Sequence, residues 1–202
     1  GYELTTTKSN VSWNGSTTLT FKLKPGYSKL DNFAVKVNGE VIELTAGENG
    51  TETYTLNNIE EDKGVTVEGV ADITVPTGTV TVGSIDPWTE FLKTITFNRF
   101  FKETQNVTIT ADDAGSGVSE KAYYVYELTG DNTALTYDDV AKLDADKWTK
   151  GSSFMVDPDK KFIVYAKLTD KDGNTSYISS DGIVLDNTAP AIDGIENNES
   201  YC

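Results

Sequence analysis

The chain contains no histidine and a single cysteine, Cys202. One cysteine cannot form a disulfide within the chain, nor supply a two-cysteine or four-cysteine metal site. The lack of histidine removes the usual general base and the commonest metal ligand. Serine nucleophiles therefore have no histidine partner, and no Gly-x-Ser-x-Gly elbow occurs. Basic residues are also scarce: 17 Lys and Arg stand against 32 Asp and Glu, for a formal net charge of −15. That balance argues against nucleic acid as a partner, because no cation excess exists to displace phosphate counterions. Anionic membrane surfaces are disfavoured for the same reason. No stretch approaches the ~20 apolar residues of a spanning helix and nothing resembles a signal peptide, so no membrane insertion is expected in this segment. The chain reads as an internal fragment whose targeting signals lie elsewhere.

What is present is alternation. Residues 17–24 alternate with period two until Pro25-Gly26, the mark of a half-buried strand. Residues 33–37 form the next expected strand and run into Asn38-Gly39, a strong hairpin signal, before a return strand at 41–44. Asn49-Gly50 marks a second turn, followed by strands at 51–56 and 65–70. Aromatic residues make up 10% of the chain, enough bulk for two small cores. A short phrase occurs twice, Asp72-Ile73-Thr74-Val75-Pro76 and Asp186-Asn187-Thr188-Ala189-Pro190, with 114 residues between the two starts. That spacing is close to the length of one β-sandwich module. Each copy follows an apolar run and ends in proline, which fixes φ and extends the residue before it, so each reads as a joint.

The stretch between the joints repeats the theme. Strands are expected at 79–82, at 107–111 and 122–126 around a small-residue loop at 112–118, and at 162–168 and 175–185 around Lys171-Asp172-Gly173-Asn174. One short helix is expected after Thr136, which with Asp139 approximates a capping box, with Val140 and Leu143 facing inward. Trp88, Phe91, Leu92 and Ile95 fall at helical spacing while residues 94–97 alternate, so a helical turn followed by a strand is expected there. The fold class is all-β: a small sandwich at 1–74, a larger one at 75–186 with the helix inserted, and at 187–202 a linker and the first strand of a truncated third repeat.

Two passages carry a family resemblance. Residues 100–111 (FFKETQNVTITA) with Ser116-Gly117-Val118, and residues 164–170 (VYAKLTD) with Gly173-Asn174 and the Asp-Asn-Thr-Ala-Pro joint, resemble the tandem bacterial Ig-like repeats of large Gram-positive cell-surface proteins. The match covers most of residues 75–202; residues 1–74 look like a shorter module found beside such repeats. The resemblance implies two tandem immunoglobulin-like sandwiches in an extracellular array, at the cell surface or secreted, that extends, presents or adheres. It implies no catalysis. Host or cell-wall glycans, or surface proteins, are the partners such an array would meet.

In an Ig-like sandwich the B–C and F–G loops share one end with the incoming chain. Here those positions carry Asp112 and Asp113, then Asp170, Asp172 and Asn174, with Asp72 on the incoming joint. Such oxygen-bearing side chains converging would suit calcium, which takes 6–8 oxygen ligands; Asp and Asn are also simply good turn formers. A second constellation is aromatic. Trp13, Trp88, Trp148 and the Tyr123-Tyr124-Tyr126 group offer stacking faces for a glycan, although Tyr123 and Tyr124 must point to opposite sheet faces. With 32 acids a chance carboxylate pair is inevitable and signals no glycosidase. The expected function is a spacer or adhesin stalk, with a carbohydrate-binding accessory module of a larger surface enzyme as the alternative.

Overall fold

The structure, a computed structural model, describes residues 1–130 and 132–189. The expected strand of a third repeat lies outside the described residues. Strands predominate and helix is confined to short pieces, so the all-β expectation holds. The chain packs as two units. One comprises Gly1–Thr77 with Ala111–Glu120 and Leu168–Ser176; the other comprises Gly78–Thr110, Lys121–Lys167 and the described residues from Tyr177 onward.

The first unit contains β1 (Tyr2–Thr6), β2 (Gly15–Leu23), β3 (Tyr27–Val37), β4 (Glu40–Ile42), β5 (Thr45–Ala46), β6 (Thr51–Ile59) and β7 (Val65–Asp72). They form two antiparallel sheets, ordered β1-β2-β6-β5 and β4-β3-β7. Alternation decides which side chains go inside: Thr17, Leu19 and Phe21 of β2 are buried, as are Val35 and Val37 of β3. The Phe21 ring lies 5.6 Å from Tyr2 and 5.2 Å from Phe33. Lys29 closes this cluster from outside, its Nζ 4.2 Å from the Phe33 ring centre. Val37 pairs with Glu40 across Asn38-Gly39, whose φ values of 50° and 89° are those of the two-residue hairpin turn the sequence signalled. Gly69 of β7 makes room for the bulge in β3 between Lys29 and Ala34, since a Cβ there would meet the backbone of Phe33 and its φ is +69°.

The second unit is built on β8 (Thr77–Val82), β9 (Arg99–Phe101), β10 (Gln105–Asp112), β11 (Val118–Glu127), β12 (Thr149–Lys150), β13 (Ser153–Val156), β14 (Lys160–Asp170), β15 (Thr175–Ser179) and β16 (Ile183–Leu185). Ends of several of these strands belong to the first unit by the ranges above. One sheet runs β13-β10-β8 and the other β12-β11-β14-β16-β9, with β15 also on β14. β9 and β16 pair in parallel. Val80, Val82, Val107 and Ile109 are buried at every second position of β8 and β10, giving a sandwich-like core. β14 is buried on both faces: Phe162, Val164 and Ala166 on one, Ile163 and Tyr165 on the other. The second face carries its own small core, in which Phe91, Ile95, Tyr124, Tyr126 and Trp148 pack against Val140, Ile163 and Tyr165.

Residues 88–98 depart from the sequence expectation: neither a helical turn nor a strand forms between Trp88 and Asn98. Tertiary partners take the backbone groups a helix would use. Trp88 exchanges both backbone bonds with Val80 at 2.8 Å, Leu92 N–H donates to Ser179 Oγ at 2.7 Å, and Thr96 N–H donates to Asp181 Oδ1 at 2.7 Å. Phe97 then turns into the left-handed region at φ 52°, which ends any regular element. The next strand, β9, begins only at Arg99, beyond the alternating 94–97.

The helix does form, as α1 (Tyr137–Ala141). Thr136 Oγ1 accepts from Asp139 N–H at 3.2 Å and the Asp139 carboxylate accepts from Thr136 N–H at 3.0 Å, a complete capping box. Val140 is fully buried. A helix this short cannot hold itself, so its cap matters to its docking. Thr136→Ala is expected to lower unfolding free energy by about 1 kcal/mol, read from urea denaturation with Thr136→Ser as the near-neutral control.

Candidate functional site

Asp72 ends β7 and is almost wholly buried, although it is charged. The sequence permits this because donors surround it. Its Oδ1 accepts from Thr74 N–H at 2.9 Å and from the Thr74 hydroxyl at 2.7 Å, and its Oδ2 accepts from Ser116 N–H at 2.6 Å. Gly115 is what lets the 111–120 loop approach: a Cβ at that position would overlap the Asp72 carboxylate. Asp113 folds its own loop around one oxygen, Oδ2 accepting from Gly115 and Gly117 N–H at 3.1 and 2.7 Å. Asp170, also buried, accepts from Asn174 N–H and from Asn174 Nδ2, both at 2.7 Å.

Of the six residues singled out by sequence, three meet. Asp72, Asp113 and Asp170 each bring a carboxylate oxygen within 4.8 Å of the others. The rest play different parts. Asp172 spends Oδ2 on the Asp72 backbone N–H at 2.6 Å. Asn174 turns its amide nitrogen inward, donating to the Asp72 carbonyl at 2.9 Å as well as to Asp170, so it offers the group a donor. Asp112 is exposed, and its carbonyl accepts from the Thr77 hydroxyl at 3.4 Å. Ser116, not one of the six, has its hydroxyl buried beside Asp72 and Asp170 without a well-formed hydrogen bond.

The electrostatics follow from these contacts. The Thr74 hydroxyl and N–H, with Ser116, outweigh burial and hold the Asp72 pKa below its ordinary value. Burial works to raise that of Asp170, but the Asn174 donors and Gly173 N–H carry it below the ordinary value. The Tyr27 phenol is raised, first by burial and then by the charges of Asp72, Asp113 and Asp172. The group is therefore a concentrated negative site. Its oxygens are of the type a hard cation takes; three carboxylates and one hydroxyl leave the remaining positions of a calcium shell to backbone carbonyls or water.

The joint phrase has the same local geometry in both copies. Asp72 Oδ1 accepts from Thr74 N–H and Asp186 Oδ1 accepts from Thr188 N–H, each at 2.9 Å. This aspartate turn is what the repeated spelling encodes.

The aromatic candidates separate. Trp148 is half-buried between Tyr177, 5.8 Å away, and Lys167, and Trp88 is half-buried at its bridge with Val80. Tyr123 stacks on Phe154 at 3.8 Å, while Tyr124 and Tyr126 join the small core on the other face, the split that alternation requires. Trp13 alone of the three tryptophans is open, 71% exposed. It borders a groove of about 540 Å³ lined also by Asn10, Leu56, Glu60, Glu61 and Lys63. Among the described residues no helix is long and apolar enough to cross a membrane.

Asp72 and Asp170 have lowered pKa values in the fold. Their stabilisation is thus complete above the unfolded value of about 3.9 and is lost as pH falls through the lower folded values. The melting temperature is expected to stay level from about pH 8 to about pH 5 and to fall below about pH 4. Asp72→Asn should start lower and lose less on acidification; parallel curves for the two proteins would remove the Asp72 charge from the account. Comparison of the chain with family models, with curated proteins and with solved structures gives no match.

Proposed function

We propose that this chain is a non-catalytic structural and interaction module, a spacer or adhesin stalk, of a bacterial cell-surface or secreted multidomain protein. The reading takes Ig-like sandwiches at about 1–74 and 75–186, and strand order supports it for the first. In β1-β2-β6-β5 and β4-β3-β7 the first, second, fifth and fourth main strands share one sheet, and the third and sixth share the other, once β4 is counted as an accessory to β3. That order matches the ABED and CF strands of the immunoglobulin fold and supports the reading.

The observation that carries the mechanical reading is the tether at Asp72. Its N–H, its carbonyl and its carboxylate are bonded to Asp172, Asn174 and Ser116, which lie 100, 102 and 44 residues further along the chain. Bonds that close loops this long resist separation of distant chain segments, as a spacer under tension requires. Pulling the chain from its two ends should give a lower first unfolding force for Asp72→Ala than for the unaltered protein. Equal forces would remove the tether from the proposal. Calcium is the cation that suits the Asp72, Asp113 and Asp170 oxygens, and millimolar calcium is expected to raise the melting temperature unless Asp113 is replaced by alanine. An unchanged melting temperature would discard the ion and leave the spacer reading standing.

A carbohydrate-binding accessory role is favoured by one feature, the exposed Trp13 beside its groove of mixed polar and apolar lining, since an open aromatic face is what stacks on a sugar ring. A glycan array should then give a signal that Trp13→Ala abolishes with folding intact. A blank array would discard this second reading.

A further inference from the structure

The second unit contains a cavity of about 730 Å³ lined by Phe91, Ile95 and Phe97 from the irregular segment after β8, and by Leu128, Leu135 and Tyr137 around the connection to α1. Its walls are held from behind. Phe91 stacks on buried Tyr165 at 5.7 Å and meets Tyr137 edge-on at 5.2 Å. Leu135 N–H donates to the Tyr165 hydroxyl at 2.9 Å, and Leu128 N–H to the Lys161 carbonyl at 2.7 Å. On the other wall the Asp181 carboxylate grips Thr96 through its N–H and its hydroxyl, at 2.7 and 2.5 Å. The next residue, Phe97, is forced to φ 52°, a conformation bulky side chains rarely adopt. Its ring lies against Gly182, where a Cβ would collide with it. Backbone strain of this kind concentrates at ligand clamps.

The charge on the described lining runs against that of the chain, with Asp181 and Asp139 standing behind the walls on Thr96 and Thr136. Among the described residues its lining holds Lys93 and Lys161 and no Asp or Glu, in a protein with 32 acidic residues and 17 basic ones. Lys161 Nζ stands 4.1 Å from the centre of the Phe97 ring. Among the described residues neither lysine forms an ion pair. The backbone N–H groups of Leu92, Thr96 and Leu135 are already engaged, so these three cannot pair with an added peptide strand.

We propose that this cavity binds a small organic anion, an aryl or alkyl body carrying one carboxylate or sulfonate, with the body among the phenylalanines and the charge at Lys93 and Lys161. The volume falls within the roughly 300–1,000 Å³ of small-molecule sites, and apolar walls with a few convergent polar groups are their usual make-up. The proposal goes beyond the spacer reading and stands or falls separately from it.

The test uses two fluorescent probes of nearly equal shape, 8-anilinonaphthalene-1-sulfonate and the neutral N-phenyl-1-naphthylamine, titrated into the folded chain. Saturable one-to-one binding is expected, with the sulfonate at least about fivefold tighter, a difference of roughly 1 kcal/mol. Lys93→Gln with Lys161→Gln should bring the sulfonate down to the affinity of the neutral probe without changing the latter. Thr133→Trp, on the exposed part of the lining, should block both. Circular dichroism and melting temperature identify the folded state, since partly unfolded chains also bind the sulfonate. Should the double variant misfold, Lys93→Gln alone carries the charge test. No saturable binding to the folded chain, equal affinity for the two probes, or binding indifferent to these substitutions would each overturn the proposal.

Discussion

A strand buried on both faces governs much of this structure. β14 sends Phe162, Val164 and Ala166 to one side and Ile163 and Tyr165 to the other, all of them at most 1% exposed. A half-buried strand keeps its register because a one-residue slip would put its apolar set in water. β14 lacks that safeguard, since both of its faces are apolar. Register is instead supported by directed bonds: the Tyr165 hydroxyl accepts from Leu135 N–H, and Val164 N–H donates to the buried Ser180 Oγ. Burial pushes the Tyr165 phenol up to about 12, so its hydroxyl stays protonated and keeps its place in the network. The same strand ends in Asp170, and the fixed register therefore also delivers one carboxylate of the acidic group.

That group shows how charge survives near charge. Like charges ordinarily raise one another's pKa, yet Asp72 and Asp170 are lowered. The difference lies in where the donors come from. Loops 112–118 and 170–174 are rich in small residues whose backbone N–H groups are free to turn toward a carboxylate, and glycine at 115 lets one of them come within bonding distance of Asp72. The aspartates act first as the hubs around which the loops are folded.

The sequence conveyed what is local and periodic. Alternation marked most long strands, Asn38-Gly39 marked its hairpin, and Thr136 with Asp139 marked the helix cap, because each of these rests on contacts within a few residues. The convergence of Asp72, Asp113 and Asp170 was legible only through the loop geometry of a resembled fold. The inward-facing nitrogen of Asn174 and the buried Ser116 hydroxyl were not, since side-chain direction in a loop follows from packing. Residues 88–98 misled for a related reason: their apolar spacing fits a helix, but Val80, Ser179 and Asp181 supply better partners for the backbone than the segment's own turns do. Trp13 lies on a loop between strands, where alternation gives no direction, so its exposure was not legible. The short strands β5, β12 and β13 were missed because two to four residues carry too little pattern.

The contact between Phe97 and Gly182 has an evolutionary consequence. Position 182 does not line the cavity, yet the missing side chain there is what allows the phenylalanine ring to lie back against the backbone just before β16. Any larger residue would evict the ring, so a single codon outside the walls would set how wide the chamber stands. Descendants of this chain would then retune or seal the chamber while every wall residue kept its identity, and a survey confined to those walls would overlook the change.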